Sequence, residues 1–260
     1  VNERELRAMT AQMNDMHAET FPALREAMDD LGSGLRERLR DERGASRRGF
    51  LIGGAGLAGA VALAACSKRT VGSPLASATP SSLGSAAGGD VAALATNASI
   101  ENLAVFAYGA ALADAPKGKF GPKVPAAVAE FATHAKAQHT DHANAFNAAL
   151  AKAGAQPFTK PDPALAGAVT QMYAKVKDLA GLATLALTLE NTAAATYTMQ
   201  LESLTSPEAV AAVATIAPVE RQHAAVLMYV LGEYPVPDAF VLLGQTETSL
   251  GARPSTDAGV

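Results

Sequence analysis

Six ionisable side chains stand where a sequence of this kind should carry leucine or alanine. Glu101, His139, His142, Glu190, Glu220 and His223 each lie inside an apolar, Ala-rich run with helical spacing. Each falls on the stripe that faces inward. Taken singly, each reads as an ordinary polar residue of a helix or its core. Together they are three carboxylates and three imidazoles on inward faces. A buried carboxylate without a partner costs several kcal/mol. A divalent metal ion compensates such a set best, because carboxylate oxygen and imidazole nitrogen are its ligands. In His139-x-x-His142 and Glu220-x-x-His223 the spacing of three puts both side chains on one face, within reach of one ion.

Four helices must position these groups. The first runs from about Asp90 to Leu112, with Leu94, Ala98, Glu101, Val105, Tyr108 and Leu112 inward. The second runs from about Pro125 to Lys152, with Val128, Phe131, Ala135, His139, His142, Phe146 and Ala149 inward. The third runs from about Pro163 to Leu204 and presents Ala183, Glu190, Ala194 and Tyr197. The fourth runs from about Pro207 to Tyr234 and presents Val213, Glu220, His223 and Leu227. Breaks at Pro116–Pro122, Gly154–Pro163 and Ser206–Pro207 separate them. The first and third are alike: ASIENLAVFAYGAAL aligns without a gap on LTLENTAAATYTMQL, each with Glu-Asn and then a Tyr seven positions after the Glu. The second and fourth correspond through QHTDHANAF and VERQHAAVL. The region is therefore a duplicated helical hairpin. Glu130 and His134 sit toward the flank of the second helix and read as solvated. Asp141 reads as exposed, or as a hydrogen-bond partner of a histidine.

Composition narrows the function classes. The 260 residues are 49% hydrophobic but only 5% aromatic, which suits closely packed helices better than a sheet. A net charge of -4 argues against nucleic acid as a partner. One cysteine excludes a disulfide framework and any multi-cysteine zinc site.

Residues 1–45 read as a charged helical leader. Leu6, Met9, Met13 and Met16 form one stripe, and Leu24, Met28, Leu31, Leu35 and Leu39 a second. Pro22 fits the first turn of a second helix, with Thr20 as its cap. The pair is either solvated or binds itself or a cytosolic partner. Residues 46–66 follow as SRRGFLIGGAGLAGAVALAAC. Arg47 and Arg48 before an apolar run resemble the twin-arginine export signal of bacteria. Leu63-Ala64-Ala65-Cys66 resembles a bacterial lipobox, in which the cysteine takes a lipid and the chain is cut before it. The apolar run is short for a spanning helix, which needs roughly 20 residues, and suits a signal segment better. The 45 residues ahead of the arginines are long for a leader, so an uncleaved apolar anchor is the other arrangement. Residues 67–89 are rich in Ser, Gly, Pro and Ala and read as a flexible linker. Residues 90–235 form the bundle, and 236–260 a C-terminal tail.

This pattern resembles the ferritin-like superfamily. Its di-metal bundles take one Glu from each of two helices and a Glu-x-x-His from each of the other two. On that resemblance the fold is all-α, an antiparallel four-helix bundle with a long connection between its second and third helices. Glu101 and Glu190 match the single glutamates, Glu220 and His223 one Glu-x-x-His, and His142 the histidine of the other. Tyr108 and Tyr197 match tyrosines that hydrogen-bond a glutamate across the bundle. His139 departs from the pattern, standing where the family has a carboxylate that bridges the metals. Three carboxylates then face two divalent ions, and the site favours trivalent iron less. The resemblance implies iron or manganese as a pair, with zinc as the other candidate. It implies oxidation chemistry of the ferroxidase or peroxidase type, acting on iron, peroxide or O2 at the extracytoplasmic face of the bacterial membrane. The alternative is a catalytically inactive scaffold or binding module of the envelope. The expected partners are the membrane, through lipid on Cys66 or through the anchor, and a second copy of the chain or other envelope proteins.

Overall fold

The computed structural model describes residues 2–60 and 86–235. Six α-helices account for most of them: α1 Glu3–Ala60, α2 Ala86–Asp114, α3 Ala126–Ala153, α4 Ala166–Lys175, α5 Leu179–Gln200 and α6 Pro207–Leu231. No strand occurs among the described residues. None of the helices there is long and apolar enough to cross a membrane.

Local chemistry sets the ends of the helices. α3 stops at Gly154, whose φ of 84° is left-handed and costs glycine nothing. α6 begins with Ser206, whose hydroxyl accepts from the Ala209 N–H at 3.1 Å, and with Pro207 in the first turn. It ends at Gly232, with φ 77°. The third helix expected over residues 163–204 is in fact two. Val176 is extended, and Asp178 restarts the helix by accepting the Gly181 N–H at 2.8 Å.

α2 with α3 and α5 with α6 form two hairpins, and α2 lies beside α5. The connection from α3 to α4 is long, and side chains hold it down. Asn147 Oδ1 accepts from the Phe158 N–H at 2.6 Å, while the amides of Asn102 and Asn147 both donate to the Phe158 carbonyl. Asp162 accepts from the Ala164 and Leu165 N–H groups and from the Ser99 hydroxyl. α4 then lies across α2 and α5, packing Leu165 and Val169 on Leu103 and Leu189.

The N-terminal arm corrects the reading of two helices broken at Pro22. α1 is one helix with Pro22 inside it. Thr20 does not cap; its hydroxyl donates back to the Met16 carbonyl at 2.8 Å. Packing on both sides of Pro22 holds the helix through the missing N–H. Nor is the arm solvated. It packs along α3 and α6, where Leu6, Met13, Leu24, Met28, Leu31 and Leu35 are buried. Polar contacts fix it along its length: Arg7 to Glu130 at 3.2 Å, Tyr229 to Glu5 at 2.5 Å, and Lys152 to Asp29. Arg38 lies 3.2 Å from Asp90. That buried carboxylate also accepts from the Thr205 and Ser206 backbone, so it ties α1, the start of α2 and the α5–α6 turn together.

At Gly32 α1 passes close against the backbone of α3. A Cβ there would stand 2.6 Å from the Ala149 carbonyl oxygen, which is backbone and cannot swing away. Gly32→Ala should therefore push α1 off α3 and cost about 1–3 kcal/mol. The expected result is a lower melting temperature with faster proteolysis of the arm, read by thermal melts and limited trypsin digestion.

Candidate metal centre

Helix periodicity delivers one acidic or imidazole cluster to the middle of the bundle. α2 brings Glu101, α3 His139 and His142, α5 Glu190, and α6 Glu220 and His223. All six are buried, with at most 1% of each exposed. Their ligand atoms converge in two sets, each within 4.8 Å: Glu101, His139, His142 and Glu220, and then His139, Glu190, Glu220 and His223. His139 and Glu220 belong to both.

The flanking carboxylates are held by tyrosines from the opposite hairpin. Tyr108 on α2 donates to Glu190 Oε1 at 2.5 Å, and Tyr197 on α5 donates to Glu101 Oε1. This reciprocal pair is the internal repeat seen in three dimensions. Burial and the adjacent glutamate raise both phenols well above their ordinary range, so they keep their protons as donors. His139 lies between the two glutamates, with Nδ1 2.7 Å from Glu101 Oε2 and Nε2 3.2 Å from Glu190 Oε1. His223 Nδ1 faces Glu190 Oε2 at 3.3 Å, and its Nε2 meets Gln138 Oε1 at 2.9 Å. With Nε2–H donated to Gln138, Nδ1 is the atom left for an ion.

Glu220 is different. Both of its oxygens are buried, and neither accepts a hydrogen bond. The nearest nitrogens are Nδ1 of His142, His139 and His223, at 3.5, 3.7 and 3.8 Å. Three ligand atoms at that range around a carboxylate held by no hydrogen bond leave room for a cation among them, a charge that protonated imidazoles otherwise supply. Buried polar groups are nearly always satisfied, and a carboxylate is the costliest exception. The donor set therefore fits divalent metal.

Metal-free, the cluster balances its charge with protons. Burial opposes ionisation of Glu101, but His142 and His139 outweigh it and hold the carboxyl well below the usual range; His139 and His223 do the same for Glu190. Burial opposes protonation of His142, but Glu101 and Glu220 outweigh it and raise the imidazole to about 9. His139 and His223 are raised too, chiefly by Glu190 against burial.

The pH dependence follows. A depressed carboxyl stabilises fully above its unfolded value of 4.5 and loses that contribution as pH falls. A raised imidazole stabilises fully below 6.5 and loses it as pH rises, for His142 up to about 9. Without metal, the melting temperature should peak between pH 4.5 and 6.5 and decline toward 9. Metal needs neutral imidazoles, so its stabilising effect should grow over that same rise. Melts across pH with a chelator, and again with Mn2+, check both limbs.

The six expected ligands and the two tyrosines are thus brought together. Glu130 is exposed and pairs with Arg7, while His134 and Asp141 are partly buried. Arg47 and Arg48 fall within the span of α1, and Cys66 lies outside the described residues. Two neighbours were missed. Gln138 stands beside His139 in the sequence, but its counterpart in the repeat is Val219, so the internal symmetry gave no sign of it. His17 comes from α1: its ring stacks on Phe21 at 4.9 Å and lies 5.3 Å from the ring of His142. Burial, and next to it the charge of His142, lower its pKa to about 4, so it is neutral. The sequence signal was a histidine inside the Met13–Met28 apolar stripe.

A family model described as a ferritin-like domain matches residues 89–233, more than half of the chain. Comparison with curated proteins and with solved structures gave no match.

Proposed function

The chain belongs to the ferritin-like domain family, and from that premise we propose that it holds two redox-active metal ions, iron or manganese, and acts on O2 or peroxide. Glu101, His142 and Glu220 would hold one ion; Glu190, His223 and Glu220 the other, with His139 between them. Such ions supply electrons to O2 or peroxide by cycling between oxidation states. The chain's own groups orient and protect the site. Tyr108 and Tyr197 each fix one oxygen of a glutamate. Gln138 fixes the tautomer of His223. The three imidazoles release protons as metal enters. An apolar cavity walled by Tyr108, Phe131, Ala183, Leu189 and Leu227 lies beside the Tyr108–Glu190 pair and would hold O2 rather than water. The observation that carries this reading is the Glu220 carboxylate, buried among three imidazoles without a hydrogen bond. Anaerobic protein loaded with Fe2+ and mixed with O2 tests it. Ferric absorbance developing faster than in free Fe2+ supports the reading, and a rate equal to that of free Fe2+ counts against it.

A second reading rests on His139. As an imidazolium it already joins Glu101 to Glu190, so the cluster also makes sense as a metal-free polar network inside an inactive envelope module. The same experiment separates the two.

For location we propose export through Arg47 and Arg48, and attachment to the extracytoplasmic face by lipid on Cys66. An arm lodged against α3 and α6 and a bundle across a membrane from it exclude each other. The intact mass of the membrane-fraction protein decides: a lipidated chain starting at Cys66 supports the proposal, and an unlipidated chain that keeps residues 1–65 overturns it.

A further inference from the structure

α1 places a histidine against the metal cluster from outside the four-helix bundle. Met13, His17, Phe21, Leu24 and Met28 follow one another at spacings of three and four, along the stripe that packs on α3 and α6. His17 is the one polar residue among them. Its Nε2 is buried and makes no hydrogen bond. An apolar residue would leave no unsatisfied nitrogen there. The ring is stacked on Phe21 with 16° between planes, and Phe21 is itself 6.3 Å from His142. His17 is thus held in place, with an unused ligand atom turned toward the protein.

The ring centres of His17 and His142 are 5.3 Å apart. Two imidazoles bound to one ion, each nitrogen about 2.1 Å from it, have ring centres about 5 Å apart. His139 and His223, both in the second ligand set, show a similar separation of 5.0 Å. His17 lies outside the sets whose ligand atoms already converge. Binding would therefore turn its ring or draw α1 inward.

We propose that α1 is a fifth ligand-bearing helix, and that His17 adds an imidazole to the ion held by Glu101, His142 and Glu220. The proposal rests on the metal reading above and concerns the chain that still carries α1, before any cleavage ahead of Cys66. It makes metal uptake and docking of the arm one coupled event, since an ion that binds His17 binds only the docked state. It also supplies a neutral donor to a site in which His139 replaces a carboxylate. The resulting nitrogen-rich set suits divalent iron or zinc.

Co2+ binding to the full chain tests this, with His17→Phe as the variant, because phenylalanine keeps the ring against Phe21 and His142 but has no donor. Wild type should bind Co2+, and the variant should bind one equivalent about tenfold more weakly, with a changed visible spectrum. Co2+ should also slow hydrogen exchange in α1 around residue 17 in wild type and not in the variant. Unchanged affinity and spectrum in His17→Phe would overturn the proposal while leaving the metal reading intact. Wild-type protein that takes up no Co2+ overturns both.

Discussion

Glu220→Ala should abolish the stabilisation that metal confers on this protein. Glu220 is the one carboxylate shared by both ligand sets, and its oxygens face three imidazoles with no hydrogen bond of their own. At a metal concentration about 100 times its Kd, one site stabilises the folded state by about 2.7 kcal/mol. For a domain of this size that is a rise of roughly 5–10 °C. Wild type should show that rise with Mn2+ or with Fe2+ under argon. Glu220→Ala should show none, and Glu190→Ala should lose at least the half of the centre that it serves. Glu130→Ala is the control. That side chain reaches Arg7 at the surface, so its loss should leave the metal-dependent rise in place. A Glu220→Ala variant that still gains several degrees would place the ion elsewhere.

His139→Glu should change the centre in the opposite direction and by more. In wild type the metal-free cluster sets three carboxylates against three imidazoles that are readily protonated. Glutamate at 139 would set four carboxylates against two imidazoles, in a site with no exposure to water. Leaving a buried charge uncompensated costs about 3–5 kcal/mol, so the metal-free variant should melt well below wild type. Four carboxylates balance two divalent ions, so with metal the order should reverse. Iron affinity should rise tenfold or more, about 1.4 kcal/mol, and oxidation of bound Fe2+ by O2 should quicken. Titration calorimetry under argon and stopped-flow absorbance read the two effects. If iron binding and oxidation are unchanged in His139→Glu, the metal-free network is the better account.

Much of the centre was legible in the sequence because helices impose a strict spacing. A glutamate or histidine on an apolar stripe at intervals of three, four and seven has one place to go. That spacing put Glu101, His142, Glu190, Glu220 and His223 at one level, and the repeat made Tyr108 and Tyr197 a matched pair. The break at Val176–Asp178 was not legible, because it contains neither proline nor glycine and depends on Asp178 capturing one N–H. Pro22 misled in the other direction. A proline in the first turn of a helix and one inside a helix look alike until packing on both sides is known. The arm's stripe of Leu and Met was compatible with a solvated leader as well as with a docked one, and nothing local to it named α3 and α6. His17 and Gln138 were missed for a related reason, since each acts on a residue of another helix.

Whether the buried cluster is a metal centre can be read from what the protein carries when purified. The decisive measurement is metal analysis of the full chain, purified with iron and manganese in the medium and without chelators. About two ions of iron or manganese per chain are expected, falling to background in Glu220→Ala. Wild-type protein with no more iron, manganese or zinc than Glu220→Ala would contradict a metal centre.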